Sequence, residues 1–293
     1  MDIVCFGELL WDIFPDRKVA GGAPFNIVNR ATALGLKATV ISSVGKDELG
    51  SELIKTVESK GNNTSYIQHH PSLSTGVVQV KLSDSGEPEY DIVHPVAWDD
   101  IKVDQKVIDL VKNSQAFVYS SLGIRDERAR QSLFQLLQFA PWKICDVNLR
   151  EGHYEKDHVM SMLDHADVLR MNEHELDQVL QWSSISGSER EQNISELFKK
   201  SNFQKLIVTL GGEGAISYDG DKFCYQPVFK VLVADTVGSG DAFLASYIYQ
   251  ALKGESDQSC LEFACAVGAL TASKTGGTPQ IEHAEIEALI KSA

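Results

Sequence analysis

The chain contains no apolar stretch approaching the roughly 18 residues of a membrane-crossing helix, so no membrane association is expected. Its first residues, Met1-Asp2-Ile3-Val4, lack a basic segment leading into a long apolar run, so a signal peptide is not expected and a cytoplasmic location is. Basic charge is in short supply. The 27 Lys and Arg face 41 Asp and Glu, for a formal net charge of −14. A general nucleic-acid binder needs a basic face, so that class is set aside. A nucleotide is not, because one local cluster of N–H groups and cations is enough to hold it. Cysteine is sparse: Cys5, Cys145, Cys224, Cys260 and Cys265, none in a CxxC pair. An odd number, with Cys5 and Cys145 inside apolar strand-like runs, fits reduced and buried thiols. There is no internal repeat and no low-complexity linker. Two familiar phosphate signatures are missing as well. Gly45-Lys46 has Val40 where a Walker loop needs glycine, and Asp47 follows. Gly238-Ser239-Gly240 is followed by Phe243 where a dinucleotide fingerprint needs a third glycine.

What is present is an ordinary globular composition, 43% hydrophobic and 23% charged over 293 residues. That length supports one large α/β domain or two smaller ones. Strand-like runs alternate with segments of helical periodicity. Ile3–Phe6, 38–44, 116–120, 143–147, 167–171 and 206–210 read as strands. Helices are expected from Pro24 to Gly35, over 48–59, 104–113, 126–138, 155–165, 172–180 and 188–201, and near 241–252, 258–274 and 283–291. This alternation predicts a mainly parallel sheet covered by helices. Residues 76–82 break the series with a period-two pattern. Ser83-Asp84-Ser85-Gly86 supplies turn chemistry, and 89–93 is strand-like again. The pair reads as a two-faced antiparallel hairpin, joined by 12–19 in a small second layer or lid. Asp219-Gly220-Asp221 marks a second hairpin. His69-His70, ahead of Pro71, has no metal-ligand spacing and is expected in an exposed loop.

The chain is organised around Asp235-Thr236-Val237-Gly238-Ser239-Gly240-Asp241-Ala242-Phe243. Apolar positions three to four apart follow it, so the glycine loop opens a helix. N–H groups and the helix dipole make such a place an anion site, with phosphate the common occupant. Asp241 reads equally as a dipole-stabilising residue of the first turn or as a base held beside the phosphate. Other polar residues stand where strands end: Asp146-Val147-Asn148-Leu149-Arg150, Asn172 with Glu175, and Thr209-Leu210-Gly211-Gly212. In open α/β sheets that is where ligands bind, and four such ends favour a nucleotide-sized site. Asn172 and Glu175 share a helix face, and on their own also read as an N-cap with a solvated Glu. Trp11 reads as substrate contact or as core.

Gly21-Gly22-Ala23-Pro24-Phe25-Asn26 with Gly35, and Asp235 to Phe243, resemble the two signatures of the ribokinase-like (PfkB) sugar kinase family. Asn172-x-x-Glu175 is similar to the family's N-x-x-E, and Thr209 to Gly214 to its nucleotide-site strand and turn. The resemblance spans essentially the whole chain. Gly7-Glu8-Leu9-Leu10-Trp11-Asp12, Gly-Gly-Ala-Pro-x-Asn and Asp146-x-Asn148-Leu149-Arg150 most resemble the fructokinase branch. Ser239 stands where the family commonly has Ala.

The resemblance implies an α/β fold, a ribokinase-like three-layer βαβ sandwich with a mainly parallel sheet and a small β-sheet lid. It implies a single kinase domain over 1–293, with the lid at about 12–20 and 75–97. It also implies an ATP-dependent sugar kinase, with fructose the sugar expected and fructose 6-phosphate the product. 2-Keto-3-deoxygluconate, another sugar or a nucleoside, or a catalytically silent sugar- or nucleotide-binding sensor, are the alternatives. Asp241 would be the base. Gly238, Ser239 and Gly240 would offer N–H groups to the γ-phosphoryl group. Asp12, Gly22 and Asn26 would hold sugar hydroxyls, and Arg150 would meet phosphate or substrate or stand solvated. Asn172 and Glu175 would hold Mg²⁺ largely through waters. Thr209 and Gly211 would lie near the nucleotide, and the 264–277 helix and turn, including Gly276, would wall the adenine. Asp235, with backbone carbonyls near Val237 and in 274–277, would hold a monovalent cation such as K⁺. In relatives the lids often pair, so a homodimer is the expected assembly.

Overall fold

A computed structural model describes residues 2–82 and 88–292. The chain divides into two compact units, one of Asp2–Phe117 and Leu122–Pro141, the other of Val118–Ser121 and Trp142–Ala293.

In the first unit, β1 (Asp2–Phe6), β4 (Lys37–Gly45) and β5 (Ile67–His70) pair in parallel in that order. Every residue of β4 after Lys37 is buried, as a parallel strand covered on both faces requires. Between β1 and β4, α1 (Ala23–Ala33) starts with Pro24 in its first turn, where a missing N–H costs nothing. Gly35 follows it at φ 89°. α2 (Glu48–Ser59) is capped by Asp47, whose Oδ1 accepts the Gly50 N–H at 2.8 Å. The same carboxylate accepts the Thr75 N–H and hydroxyl at 2.8 and 2.6 Å, tying the helix start to the second sheet.

That sheet has the order β3 (Lys18–Gly21), β2 (Leu10–Ile13), β6 (Gly76–Leu82), β7 (Pro88–Ile92). The β6–β7 hairpin is antiparallel as expected, and so is β2–β3, while the central pair β2–β6 is parallel. The expected turn at Ser83-Asp84-Ser85-Gly86 lies outside the described residues. α3 (Gln105–Lys112) and α4 (Glu127–Leu137) complete the unit.

One expectation is overturned here. His70 is not in an exposed loop but buried at the end of β5. Its Nε2 meets Asp100 Oδ2 at 3.1 Å, and its Nδ1 accepts the N–H groups of Ser72 and Leu73 at 3.2 and 2.8 Å. A four-residue strand is too short to show alternation, and the imidazole is tolerated inside because both ring nitrogens are partnered.

In the second unit the strand order is β13 (Phe223–Gln226), β12 (Ala215–Tyr218), β11 (Lys205–Thr209), β10 (Val168–Asn172), β9 (Lys143–Asp146), and then β8 (Ala116–Ser120), of which residues 118–120 belong to this unit. β9, β10 and β11 are parallel, and β12–β13 is the antiparallel hairpin read around Gly220. Helices α5 (Lys156–Leu163), α6 (Glu173–Trp182) and α7 (Arg190–Lys199) separate the parallel strands. α8 (Ser239–Leu252), α9 (Asp257–Ala272) and α10 (His283–Lys291) follow. α8 is buried continuously from Ala242 to Ile248, the mark of an interior helix. The fold class is the expected one: α/β, with a large mainly parallel sheet and a small second sheet.

Candidate active site

Strand register assembles one half of the site. Arg170 of β10 lies opposite Asp146 of β9, and Asn172 opposite Thr209 of β11. The polar residues read at three strand ends are therefore neighbours at the carboxyl edge of the parallel strands, where ligands bind in such sheets.

Asn172 caps α6: its Oδ1 accepts the Glu175 N–H at 2.9 Å, and Glu175 Oε2 accepts the Asn172 N–H at 2.8 Å. This is a capping box. Glu175 is not solvated, however. It is 6% exposed, and its Oε1 accepts the N–H of Leu149 at 3.0 Å, which fixes the loop after β9. Asn148 in that loop sits at φ 43°, and its carbonyl accepts the Ser121 hydroxyl at 2.9 Å. Burial first, and then Asp146, push the Glu175 carboxyl above its ordinary range, although Arg170 and the two N–H groups oppose this. Arg150 stands apart. It is exposed, and its guanidinium donates to the Leu149 carbonyl at 3.3 Å.

The glycine loop is built as its sequence suggested. Gly238 is the N-cap of α8 at φ 73°, a conformation that side chains rarely take. A Cβ there would lie 2.2 Å from the carbonyl oxygen of Gly277. Asp235 binds this loop to the 274–277 turn: Oδ1 accepts the Val237 N–H and Oδ2 the Gly276 N–H, both at 3.0 Å. Gly276 turns the chain there at φ 86°. The Ser239 hydroxyl donates to the Gly268 carbonyl on α9 at 2.8 Å, and its N–H donates to the Thr236 carbonyl at 3.2 Å. The N–H groups of Gly238 and Gly240 have no partner in the protein among the described residues. Of the three, only the Ser239 N–H is thus already taken within the loop. Gly238 to Asp241 are all half-buried, so the helix start is accessible.

Gly211 opens the turn after β11 at φ 54°, with no atom within 4 Å of where a side chain would begin. The Thr209 hydroxyl accepts a bond from Arg170 Nη2 at 2.9 Å.

Asp12, Gly22 and Asn26 belong to the first unit. Asp12 is on β2, with its carboxylate against Gly21, where a Cβ would meet Oδ2 at 2.4 Å. Gly22, at φ 107°, is the N-cap of α1, and Asn26 is buried in that helix's first turn. Glu8 supports this corner. It is 1% exposed, and its Oε1 accepts the Ala23 N–H at 3.1 Å. Trp11 is core: it is buried, and its indole N–H donates to the Leu49 carbonyl at 3.0 Å.

Sequence reasoning missed Glu8 and Arg170. Each signals itself only as a charged residue bordering or interrupting an apolar run, and buried charges are rare unless partnered.

The pfkB family carbohydrate kinase model matches residues 4–284. The chain belongs to this family. It is therefore a phosphotransferase acting on a sugar hydroxyl, as its two signatures implied. Fructokinase-1 of Zea mays is 27% identical over 321 residues, covering 99% of this chain and 98% of that protein. Fructokinase-2 of Solanum lycopersicum is 28% identical over 315 residues, covering 96% and 93%. Among solved structures, a Xylella fastidiosa fructokinase with bound ATP superposes with a TM-score of 0.86 at 22% identity, covering 99% and 98%. A 2-dehydro-3-deoxygluconokinase of Thermotoga maritima gives 0.86 at 23%, covering 99% of each chain. These structures share the fold. No helix among the described residues is long and apolar enough to cross a membrane.

Proposed function

We propose that the chain transfers the γ-phosphoryl group of ATP to fructose, giving fructose 6-phosphate. The observation that carries this reading is the start of α8. Gly238 and Gly240 present N–H groups at the positive end of a buried helix, and Asp241 stands in its first turn. Asp241 takes the proton of the sugar hydroxyl, the hydroxyl oxygen bonds to the γ-phosphorus, and ADP leaves. Charge developing on the transferred group is met by the loop's N–H groups. Such transfer depends mainly on positioning and charge stabilisation. Asp12, Gly22 and Asn26 hold sugar hydroxyls, and Thr209, Gly211 and Gly276 border the nucleotide. The fructokinase relatives support the choice of sugar.

The donor set near Glu175 fits a water-mediated Mg²⁺ site. Each of its oxygens accepts one N–H and keeps a second lone pair, and buried Asp146 adds negative charge close by. Asn172 and Glu175 would hold the ion through waters, and it would neutralise phosphate charge. Asp235, pinned by two N–H groups, and nearby carbonyls would hold K⁺. Equal rates with K⁺ and a large organic cation would remove that role. The second sheet would act as a lid that excludes water, and its outer strands β3 and β7 would pair in a homodimer. A monomer by light scattering at micromolar concentration would contradict the dimer.

The test is ADP release with ATP, Mg²⁺ and K⁺ against fructose, glucose, ribose, 2-keto-3-deoxygluconate, fructose 6-phosphate and adenosine. A strong preference for fructose is expected. Preference for another member would replace the sugar and keep the Asp241 chemistry. Silence on all, with sugar binding seen by calorimetry, would favour a sensor.

A further inference from the structure

We infer that Arg170 is a positioning residue for the anion loop, and that position 240 is glycine in order to admit its guanidinium. This rests on the kinase reading of the α8 start. Arg170 interrupts the apolar strand β10 and is 8% exposed. Nη1 donates to Asp146 Oδ1 and Nη2 to Thr209 Oγ1, each at 2.9 Å, so the fork is fixed to the strands on both sides. Its far side lies against α8. A Cβ on residue 240 would stand 2.7 Å from Nη2, 3.2 Å from Nη1 and 3.3 Å from Cζ.

Gly240 differs from Gly238 in kind. Gly238 is in the left-handed region; Gly240 is not, so its backbone would accept any residue. The three atoms nearest to a Cβ at 240 all belong to the guanidinium. The end of an arginine normally swings away from such a contact. Here two hydrogen bonds hold it, and leaving would strand the carboxylate of Asp146, which is 1% exposed. Removing one partner of a buried pair is costly because the other charge stays behind. The third nitrogen, Nε, is buried and has no partner among the described residues. The arrangement thus does not maximise the bonds of the guanidinium; it places the Nη edge beneath the loop.

A cation at a helix N-terminus is unfavourable by itself, since both are positive. Asp146, Glu175 and Asp241 offset this. An arginine side chain is protonated at any working pH. The result is a fixed full charge added to the partial charge of the helix end, set before any anion arrives. Arg170 therefore ties β9, β10 and β11 together by hydrogen bonds and lies against the first turn of α8.

The experiment is a double-substitution cycle on the full chain. Gly240→Ala should lower kcat by about 100-fold, the scale of a 1 Å misplacement in a site. Arg170→Lys keeps the charge but loses the fork. It should lower kcat about tenfold, the scale of one charge-assisted hydrogen bond, with KM for ATP and sugar within about threefold. In the Arg170→Lys background, Gly240→Ala should cost no more than about fivefold, because the slimmer ammonium can withdraw. Thr209→Val, which frees Nη2 without touching any charge, should likewise soften the Gly240→Ala loss, and it covers the case in which Arg170→Lys does not fold. Equal Gly240→Ala losses in all backgrounds would overturn the proposal, as would wild-type kcat in Arg170→Lys. A purely structural arginine would lower the melting temperature with no such rescue. The same cycle can be read without sugar, as the ADP-induced rise in melting temperature. If the wild type shows no such rise, the kinase reading itself fails; if it does and the cycle is additive, only the present proposal fails.

Discussion

Replacing Gly238 by alanine tests the anion loop with the fewest assumptions. Two costs can be worked from the structure. The residue sits at φ 73°, where a non-glycine residue loses about 1–2 kcal/mol. The new Cβ would also lie 2.2 Å from the Gly277 oxygen, so the loop or the 274–277 turn must move. Relieving that overlap costs about 1–3 kcal/mol by analogy with overpacked cores. The sum, about 2–5 kcal/mol, is less than the 5–15 kcal/mol of a typical domain, so the variant should stay folded at 25 °C. The functional cost follows from the same movement. A shift of about 1 Å in the phosphoryl site should lower kcat about 100-fold, or ~2.7 kcal/mol of barrier. Gly254→Ala is the control. Gly254 has φ 81°, nothing lies within 4 Å of its missing Cβ, and it follows the far end of α8. At 1.5 Å per residue, the 14 residues of α8 put it about 20 Å from the loop. It should pay only the conformational strain, with kcat unchanged. The assay is steady-state ADP release, with thermal melting alongside. If Gly238→Ala melts lower yet turns over at the wild-type rate, the α8 start is not where the phosphoryl group is held. If both variants lose kcat equally, the loss is general softening and not displacement of the loop.

Three further outcomes are expected. Asp241→Asn should keep its melting temperature and ADP binding while kcat falls about 10²–10⁴-fold, the contribution of a positioned base; near wild-type turnover would end that assignment. Ser239→Ala removes the bond to the Gly268 carbonyl and should lower stability by about 1 kcal/mol in chemical denaturation, with kcat within a few-fold, because the hydroxyl is turned to α9 and not to the ligand. Asp257 should impose a pH dependence on stability. Burial alone would raise its pKa, but bonds from Lys205, Ser217 and Tyr247 hold it below the ordinary 3.8. A depressed folded pKa stabilises the fold above the unfolded value and loses that effect as pH falls through the folded one. Asp257→Asn should therefore melt below wild type at pH 7, the gap narrowing as the pH drops below about 3.8; a gap unchanged down to pH 2.5 would refute the linkage.

The parts of this molecule that could be read in advance are those whose cause is local. Gly238-Ser239-Gly240 announces a helix start because it precedes an apolar run at helical spacing, and α8 starts there, with Gly238 as its left-handed N-cap. Asn172 and Glu175 announce a shared helix start, and they form it. The fate of Glu175 was not legible. Its burial depends on the Leu149 N–H, 26 residues away, and nothing at positions 172–175 encodes that partner. β5 hid for a similar reason, since four residues carrying two histidines become a strand only because β4 offers an edge and Asp100 a partner. Gly240 is the sharpest case. In the sequence it is indistinguishable in kind from Gly238, two glycines flanking one serine. In space one glycine satisfies a backbone angle and the other makes room for a guanidinium whose own anchors lie 24 and 39 residues from it along the chain. The motif therefore combines two unlike constraints. Only the first travels with the motif; the second depends on which residue occupies position 170. A chain of this family with a smaller residue there should tolerate alanine at the equivalent of Gly240 but not at that of Gly238. That asymmetry would be absent if both glycines served backbone conformation alone.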